Sequence, residues 1–78
     1  MHVTLYTTAG CHLCDLAEAV LLTLPTHYQL EITHTEIGDS DELVARYGIR
    51  IPVVKFSDDT EIGWPFEQHD IESKLTQL

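Results

Sequence analysis

The stretch Thr7-Thr8-Ala9-Gly10-Cys11-His12-Leu13-Cys14-Asp15 joins two patterns of different period. Before it, His2–Thr7 (HVTLYT) is short, β-branched and aromatic, and predicts a strand. After Gly10, the apolar residues Leu13, Leu16, Ala17, Val20, Leu21 and Leu24 recur at the three- and four-residue spacing of an amphipathic helix, which Pro25 bounds. A strand that gives way to a helix across a glycine places Cys11 at the helix N-terminus. Free backbone N–H groups there favour a thiolate and lower a cysteine pKa from ~8.5 to roughly 3.5–7.5. Cys14 follows on the same side, one turn deeper, where it is placed to attack a mixed disulfide on Cys11. The spacing therefore assigns Cys11 as nucleophile and Cys14 as resolving thiol.

Other uses of two closely spaced cysteines fit less well. As a staple, so short a loop constrains the unfolded chain by roughly 2 kcal/mol, against about 4.7 for a hundred-residue loop. Haem attachment requires His directly after the second Cys, and Asp15 stands there. A metal or iron–sulfur module remains an alternative, because the pair presents two soft ligands. A zinc site normally takes four, and His12 is the one further ligand beside the pair. A third alternative is an interaction domain whose cysteines do not cycle.

The rest of the chain reads as β-α-β-α-β-β-α. Tyr28–Ile37 alternates, with Leu30 and Ile32 against Glu31 and Thr33, as a half-exposed edge strand does. Asp39 with Glu42 marks a helix start, Leu43, Val44 and Tyr47 are expected to face inward, and Gly48 supplies the stop. Ile51–Phe56 is a buried strand, Asp58-Asp59-Thr60 a turn, and Glu61–Trp64 a short strand closing a hairpin. Ile71, Leu75 and Leu78 mark a terminal helix. The strand–helix–strand opening implies parallel pairing and the hairpin an antiparallel edge. The expected fold is thus an α/β domain spanning 1–78, with a four-stranded mixed sheet and helices on both faces.

Composition narrows the function classes. The chain has 78 residues, 44 % of them hydrophobic, and four Lys/Arg against 13 Asp/Glu, for a formal net charge of −9. Phosphate backbones and anionic lipid are repelled by such a chain, so neither nucleic acid nor membrane is an expected partner. No apolar run approaches the ~20 residues of a spanning helix. MHVTLYTT lacks a basic region ahead of an apolar stretch, so no secretory signal is expected and a cytoplasmic monomer is the default.

The strand VTLYT, the CxxC that opens the helix, and the later Ile51-Pro52 leading into a strand together resemble the glutaredoxins of the thioredoxin-fold superfamily. The separation of Cys11 from Pro52 is also similar. The resemblance implies a thioredoxin-like fold, a thiol–disulfide oxidoreductase without a cofactor, and a Pro52 that follows a cis peptide bond and faces the redox pair. It also points to Thr8, His12, Leu13, Arg50 and Ile51 as the residues lining the substrate.

The chain departs from that pattern at several places. His12-Leu13 stand where glutaredoxins usually have Pro-Tyr, and Thr8 replaces a Lys that helps hold glutathione. Arg50-Ile51-Pro52 replaces Thr-Val-Pro, and Gly63-Trp64-Pro65 replaces the Gly-Gly and acid that grip its γ-glutamyl end. Leu5 occupies the place of the buried Asp of thioredoxins. A protein or small-molecule disulfide is therefore the expected substrate, with glutathione weakly supported. An imidazolium at His12 would stabilise the thiolate, the alternative being a solvated first-turn histidine; Asp15 complements the helix dipole; and Arg50 is placed either to hold a substrate carboxylate or to serve as a surface residue. Trp64-Pro65-Phe66 reads as core, and His2, His27, His34 and His69 as surface residues without ligand spacing.

Overall fold

In the computed structural model, which describes all residues 1–78, the chain runs β1 (His2–Thr7), α1 (His12–Leu22), a single 3₁₀ turn (Thr26–Tyr28), β2 (Glu31–Glu36), α2 (Asp41–Tyr47), β3 (Val53–Phe56), β4 (Glu61–Gly63) and α3 (Gln68–Gln77). The sheet order is β2-β1-β3-β4. β1 pairs in parallel with β2 and antiparallel with β3, and β3 pairs antiparallel with β4. The mixed sheet and the order of elements agree with the sequence reading.

Alternation along each strand sends successive side chains to opposite faces, and this builds two apolar clusters. On one face Val3 and Leu5 of β1 and Val54 and Phe56 of β3 meet Ala17 and Leu21 of α1 and Ile71 and Leu75 of α3. On the other, Tyr6 and Val53 meet Ile37, Leu43, Tyr47 and Ile51 around α2. Helices therefore cover both faces. No helix is long and apolar enough to cross a membrane.

Helix details depart from expectation in instructive ways. The buried stripe of α1 is Cys14, Ala17 and Leu21, while Leu13 and Leu16 are 45 % and 42 % exposed. Cys14 is itself one of the core residues, and a reading that reserves it for chemistry rotates the apolar face away from its true centre. Leu24 is buried as expected, yet lies past the helix end at Leu22. Helix α2 is capped by Ser40, whose hydroxyl accepts from the Leu43 amide at 3.3 Å, and not by Asp39. Tyr47 is buried and Leu43 half-buried, but Val44 is exposed, because a seven-residue helix on a narrow sheet offers one contact face. Gly48 does close α2. It does so in right-handed geometry, where a Cβ would lie 2.5 Å from the Val44 carbonyl oxygen. β2 begins at Glu31 because the preceding residues turn through the 3₁₀ segment instead of pairing.

Helix α3 is fixed at its start by a reciprocal pair of bonds between Glu67 and Asp70, and near its end by Lys74, whose ammonium donates to Asp58 at 2.9 Å. Asp58 sits in the β3–β4 turn and also accepts from the Thr60 hydroxyl (2.6 Å) and amide (3.1 Å). The Thr60 hydroxyl and then Lys74 lower the Asp58 pKa to about 2. A carboxylate held below its unfolded value stabilises the fold above that value, about 4, and loses the contribution as pH falls toward the folded one. Asp58→Asn is therefore expected to lower the thermal midpoint at pH 6. Thermal unfolding of both proteins from pH 6 down to pH 2 should show the difference closing; a constant difference would mean that ionisation of Asp58 is not its source.

Candidate active site

Thr8 to Cys11 form a tight turn in which the Cys11 amide donates to the Thr8 carbonyl at 3.2 Å. Gly10 occupies the third position with φ +77°, the left-handed conformation that this turn requires and that an L side chain resists. The turn delivers Cys11 as the N-cap of α1, with φ −81° and ψ 103°. Its sulfur accepts from the Cys14 amide at 3.1 Å, in the place where a Ser or Asp oxygen usually caps a helix. Cys11 and Cys14 form a disulfide, with Sγ–Sγ 2.25 Å and Cα–Cα 5.3 Å. Cys11 is half-buried, whereas Cys14 is only 4 % exposed. Cys11 is thus the more accessible of the two sulfurs.

The Ile51–Pro52 peptide is cis, as the resemblance implies, and so is Trp64–Pro65, which the sequence reading did not include. Tyr6 of β1 lies opposite Val53 of β3 in antiparallel register, so Pro52 arrives at the end of the sheet from which the cysteine turn leaves. Pro52 is buried, and its carbonyl accepts from the Trp64 amide at 3.0 Å. Ile51 is half-buried against the Tyr6–Tyr47 cluster. Trp64 packs edge-on against Phe66, centroids 5.1 Å apart, and both join the main core as expected; Pro65 is exposed.

The remaining expected site residues take varied positions. His12 and Leu13 are exposed in the first turn of α1. Arg50 does not stand free: its guanidinium donates to Glu61 at 3.1 Å and lies over the Tyr47 ring, 5.4 Å from the centroid. Tyr47 itself donates to the other Glu61 oxygen at 2.5 Å and stacks on Tyr6 with centroids 4.2 Å apart. The Tyr47 hydroxyl first, and Arg50 after it, hold the Glu61 carboxyl below its ordinary range, while burial pushes the Tyr47 phenol up. The Tyr47 carbonyl also accepts from the Arg50 and Ile51 amides at 2.8 and 2.9 Å, which fixes the segment leading into Pro52.

Glu36 is the residue that the sequence reading missed. Its carboxylate accepts from the Ala9 amide at 2.9 Å and the Gly38 amide at 2.7 Å, and the Thr8 hydroxyl faces it. The Gly38 amide, then the Thr8 hydroxyl, hold its pKa below the usual carboxylate range. The available signal is topological. Parallel strands end at the same edge of a sheet, so an acid closing β2 must lie beside the loop that leaves β1. Thr8 is thus engaged within the fold.

The four other histidines are exposed, as expected. His34 pairs with Glu18 at 2.9 Å, and His69 lies 3.4 Å from Glu67 and 3.3 Å from Asp70. No three or more His, Cys, Asp and Glu side chains gather where they could hold a metal ion.

Residues 2–76 match the model of the glutaredoxin-like domain family (DUF836). Among curated proteins none matches the chain. Two solved structures of the structural genomics target protein XcR50 from X. campestris are similar. The X-ray structure is 30 % identical with a TM-score of 0.85, covering 97 % of each chain. The solution structure is 31 % identical with a TM-score of 0.84, covering 100 % of this chain and 96 % of the other. A match over nearly the whole length, on a thioredoxin-like fold with a CxxC pair bonded across the first turn of α1, places the chain in the glutaredoxin-like domain family.

Proposed function

We propose that the protein is a thiol–disulfide oxidoreductase in which Cys11 attacks and Cys14 resolves. The observation that carries this reading is the asymmetry of the pair. Cys11 is the accessible sulfur and receives an amide hydrogen bond at the helix N-terminus, while Cys14 is buried within bonding distance behind it.

The steps follow from that arrangement. In the reduced protein the Cys11 thiolate attacks one sulfur of a substrate disulfide. A Cys11–substrate bond forms, the substrate S–S bond breaks, and the departing thiolate takes a proton from solvent. The Cys14 thiol loses its proton to solvent and attacks the Cys11 sulfur. This forms the Cys11–Cys14 disulfide and releases the second substrate thiolate, which is protonated in turn. Two electrons and two protons have then reached the substrate, and an external dithiol restores the reduced pair. Cys11 favours the first step because the Cys14 amide and the end of α1 stabilise negative charge on its sulfur, while Asp15 in the first turn opposes that charge.

The substrate is a protein or small-molecule disulfide, and Pro52, Ile51, His12 and Leu13 border the place where it would lie. Trapping tests the reading. Cys14→Ser should accumulate mixed disulfides through Cys11 that mass spectrometry can name, whereas Cys11→Ser should accumulate few. Equal trapping by both variants would refute the assignment of roles.

Replacing His12 with Ala is expected to raise the pH midpoint of Cys11 thiolate absorbance, because an imidazole beside the sulfur supports the thiolate. An unchanged midpoint would make His12 a solvated surface residue only.

A further inference from the structure

We infer that Glu36 is a positioning residue for Cys11: its carboxylate holds the Thr8–Cys11 turn in the arrangement that sets the Cys11 sulfur against the Cys14 amide. The inference rests on the thiol-exchange reading above and adds to it a residue that touches neither cysteine.

The centre of the turn is not held by packing. Ala9 and Gly10 are exposed, and a Cβ built on Gly10 would meet nothing within 4 Å, whereas Thr8 and Cys11 at its two ends are half-buried. The amide of a turn's second residue normally points to water, yet here the Ala9 amide donates to Glu36.

Glu36, by contrast, is anchored in the sheet. It lies opposite Thr7 in the parallel register, and the next amide, Ile37, donates to the Thr7 carbonyl at 2.9 Å. Its second oxygen is held by the Gly38 amide at 2.7 Å, so the carboxylate is itself fixed before it fixes anything. A continuous set of bonds then leads to the reacting sulfur. Glu36 takes the Ala9 amide and faces the Thr8 hydroxyl, the Thr8 carbonyl takes the Cys11 amide, and the Cys11 sulfur takes the Cys14 amide.

Charge and position act in opposite senses here. A carboxylate near the turn opposes a thiolate, so removing its charge alone would lower the Cys11 midpoint. Loosening the turn weakens the amide bond that stabilises the thiolate and raises the midpoint. The sign of the shift separates the two roles: a rise marks positioning of the sulfur, whereas a Glu36 that acted only through its charge or on stability would give a fall or no rise.

The test is the Cys11 thiolate absorbance against pH in the reduced full-length protein, with alkylation rate and thermal midpoint measured alongside. Glu36→Ala is expected to raise the Cys11 midpoint by roughly half to one pH unit and to slow alkylation by about two- to threefold at pH values below that midpoint. Thr8→Val keeps the Glu36 charge and should shift the midpoint the same way by less. A midpoint that falls or stays put in Glu36→Ala, whatever the thermal midpoint does, overturns the inference. If that variant does not fold, an unshifted Thr8→Val overturns it. A wild-type Cys11 with the midpoint of a free thiol and no exchange activity would instead sink the oxidoreductase reading, while the direction of the variant shifts would still judge Glu36.

Discussion

Tyr47→Ala is expected to remove a large part of the protein's stability. Deleting a large buried aromatic side chain costs about 3–5 kcal/mol. A chain of 78 residues has a total stability on the order of 4–12 kcal/mol. Tyr47 is 1 % exposed and forms the centre of the second cluster, stacked on Tyr6 and in contact with Ile37 and Val53. It also carries the Glu61–Arg50 pair and, through its carbonyl, the turn into Pro52. Loss of the side chain thus removes the packing under α2 and the ring against which Ile51 packs, while the backbone bonds from Arg50 and Ile51 remain. A drop in thermal midpoint of roughly 15 °C or more is the expected reading. Tyr47→Phe separates ring from hydroxyl: it keeps the stack and removes the donor to Glu61, for a cost of about 1 kcal/mol. Because the hydroxyl lowers the Glu61 pKa, this cost should be present above the ordinary carboxylate range and shrink as acid protonates Glu61. A Tyr47→Ala protein that unfolds as the wild type does would show that the second cluster contributes little.

The parts of this fold legible in the sequence are those that a local pattern decides. HVTLYT alternates, the residues after Gly10 have a helical period, and the glycine between them forces Cys11 to the helix end, so β1, α1 and the placement of the cysteine pair follow from one stretch. The order of the later elements follows in the same way. What the sequence left open depends on contacts across the chain. The face of α1 turned toward the core is set by its neighbours on β1 and α3, and this is why Leu16, on the apolar period of the helix, stands exposed. Glu36 reads as an ordinary polar residue at a strand end until the β1–β2 register brings it under the cysteine turn. Arg50 reads as a free cation beside Pro52, and only the sheet reveals that Glu61 lies within its reach. Tyr47 is legible as a core residue, but its hydroxyl partner lies fourteen positions away on β4.

Reduction of a glutathione mixed disulfide is expected to run at least about a hundredfold slower than exchange with a disulfide that a dithiol reductant regenerates. Glutathione brings two carboxylates and one ammonium, so holding it needs cations or free amides at fixed places. The chain's basic side chains are already engaged. Arg50 is bonded to Glu61, Lys55 lies 3.6 Å from Asp59, Lys74 is bonded to Asp58, and Arg46 lies over the Tyr47 ring at 5.9 Å. The Thr8 hydroxyl faces Glu36, and the Ala9 amide is taken by the same carboxylate. Trp64 is packed against the core, where a Gly and an acid would otherwise receive the γ-glutamyl end. Losing two charge-assisted hydrogen bonds, at about 1.5 kcal/mol or more each, corresponds to a factor of about a hundred or more. The net charge of −9 also slows the approach of an anionic tripeptide, and added salt should narrow that part of the gap. Turnover in a glutathione-coupled assay and in a dithiol-coupled assay, each at low and high salt, gives the comparison. Efficient glutathione-coupled turnover that Arg50→Ala abolishes would overturn the expectation, because Arg50 would then have to leave Glu61 and hold a carboxylate of the tripeptide.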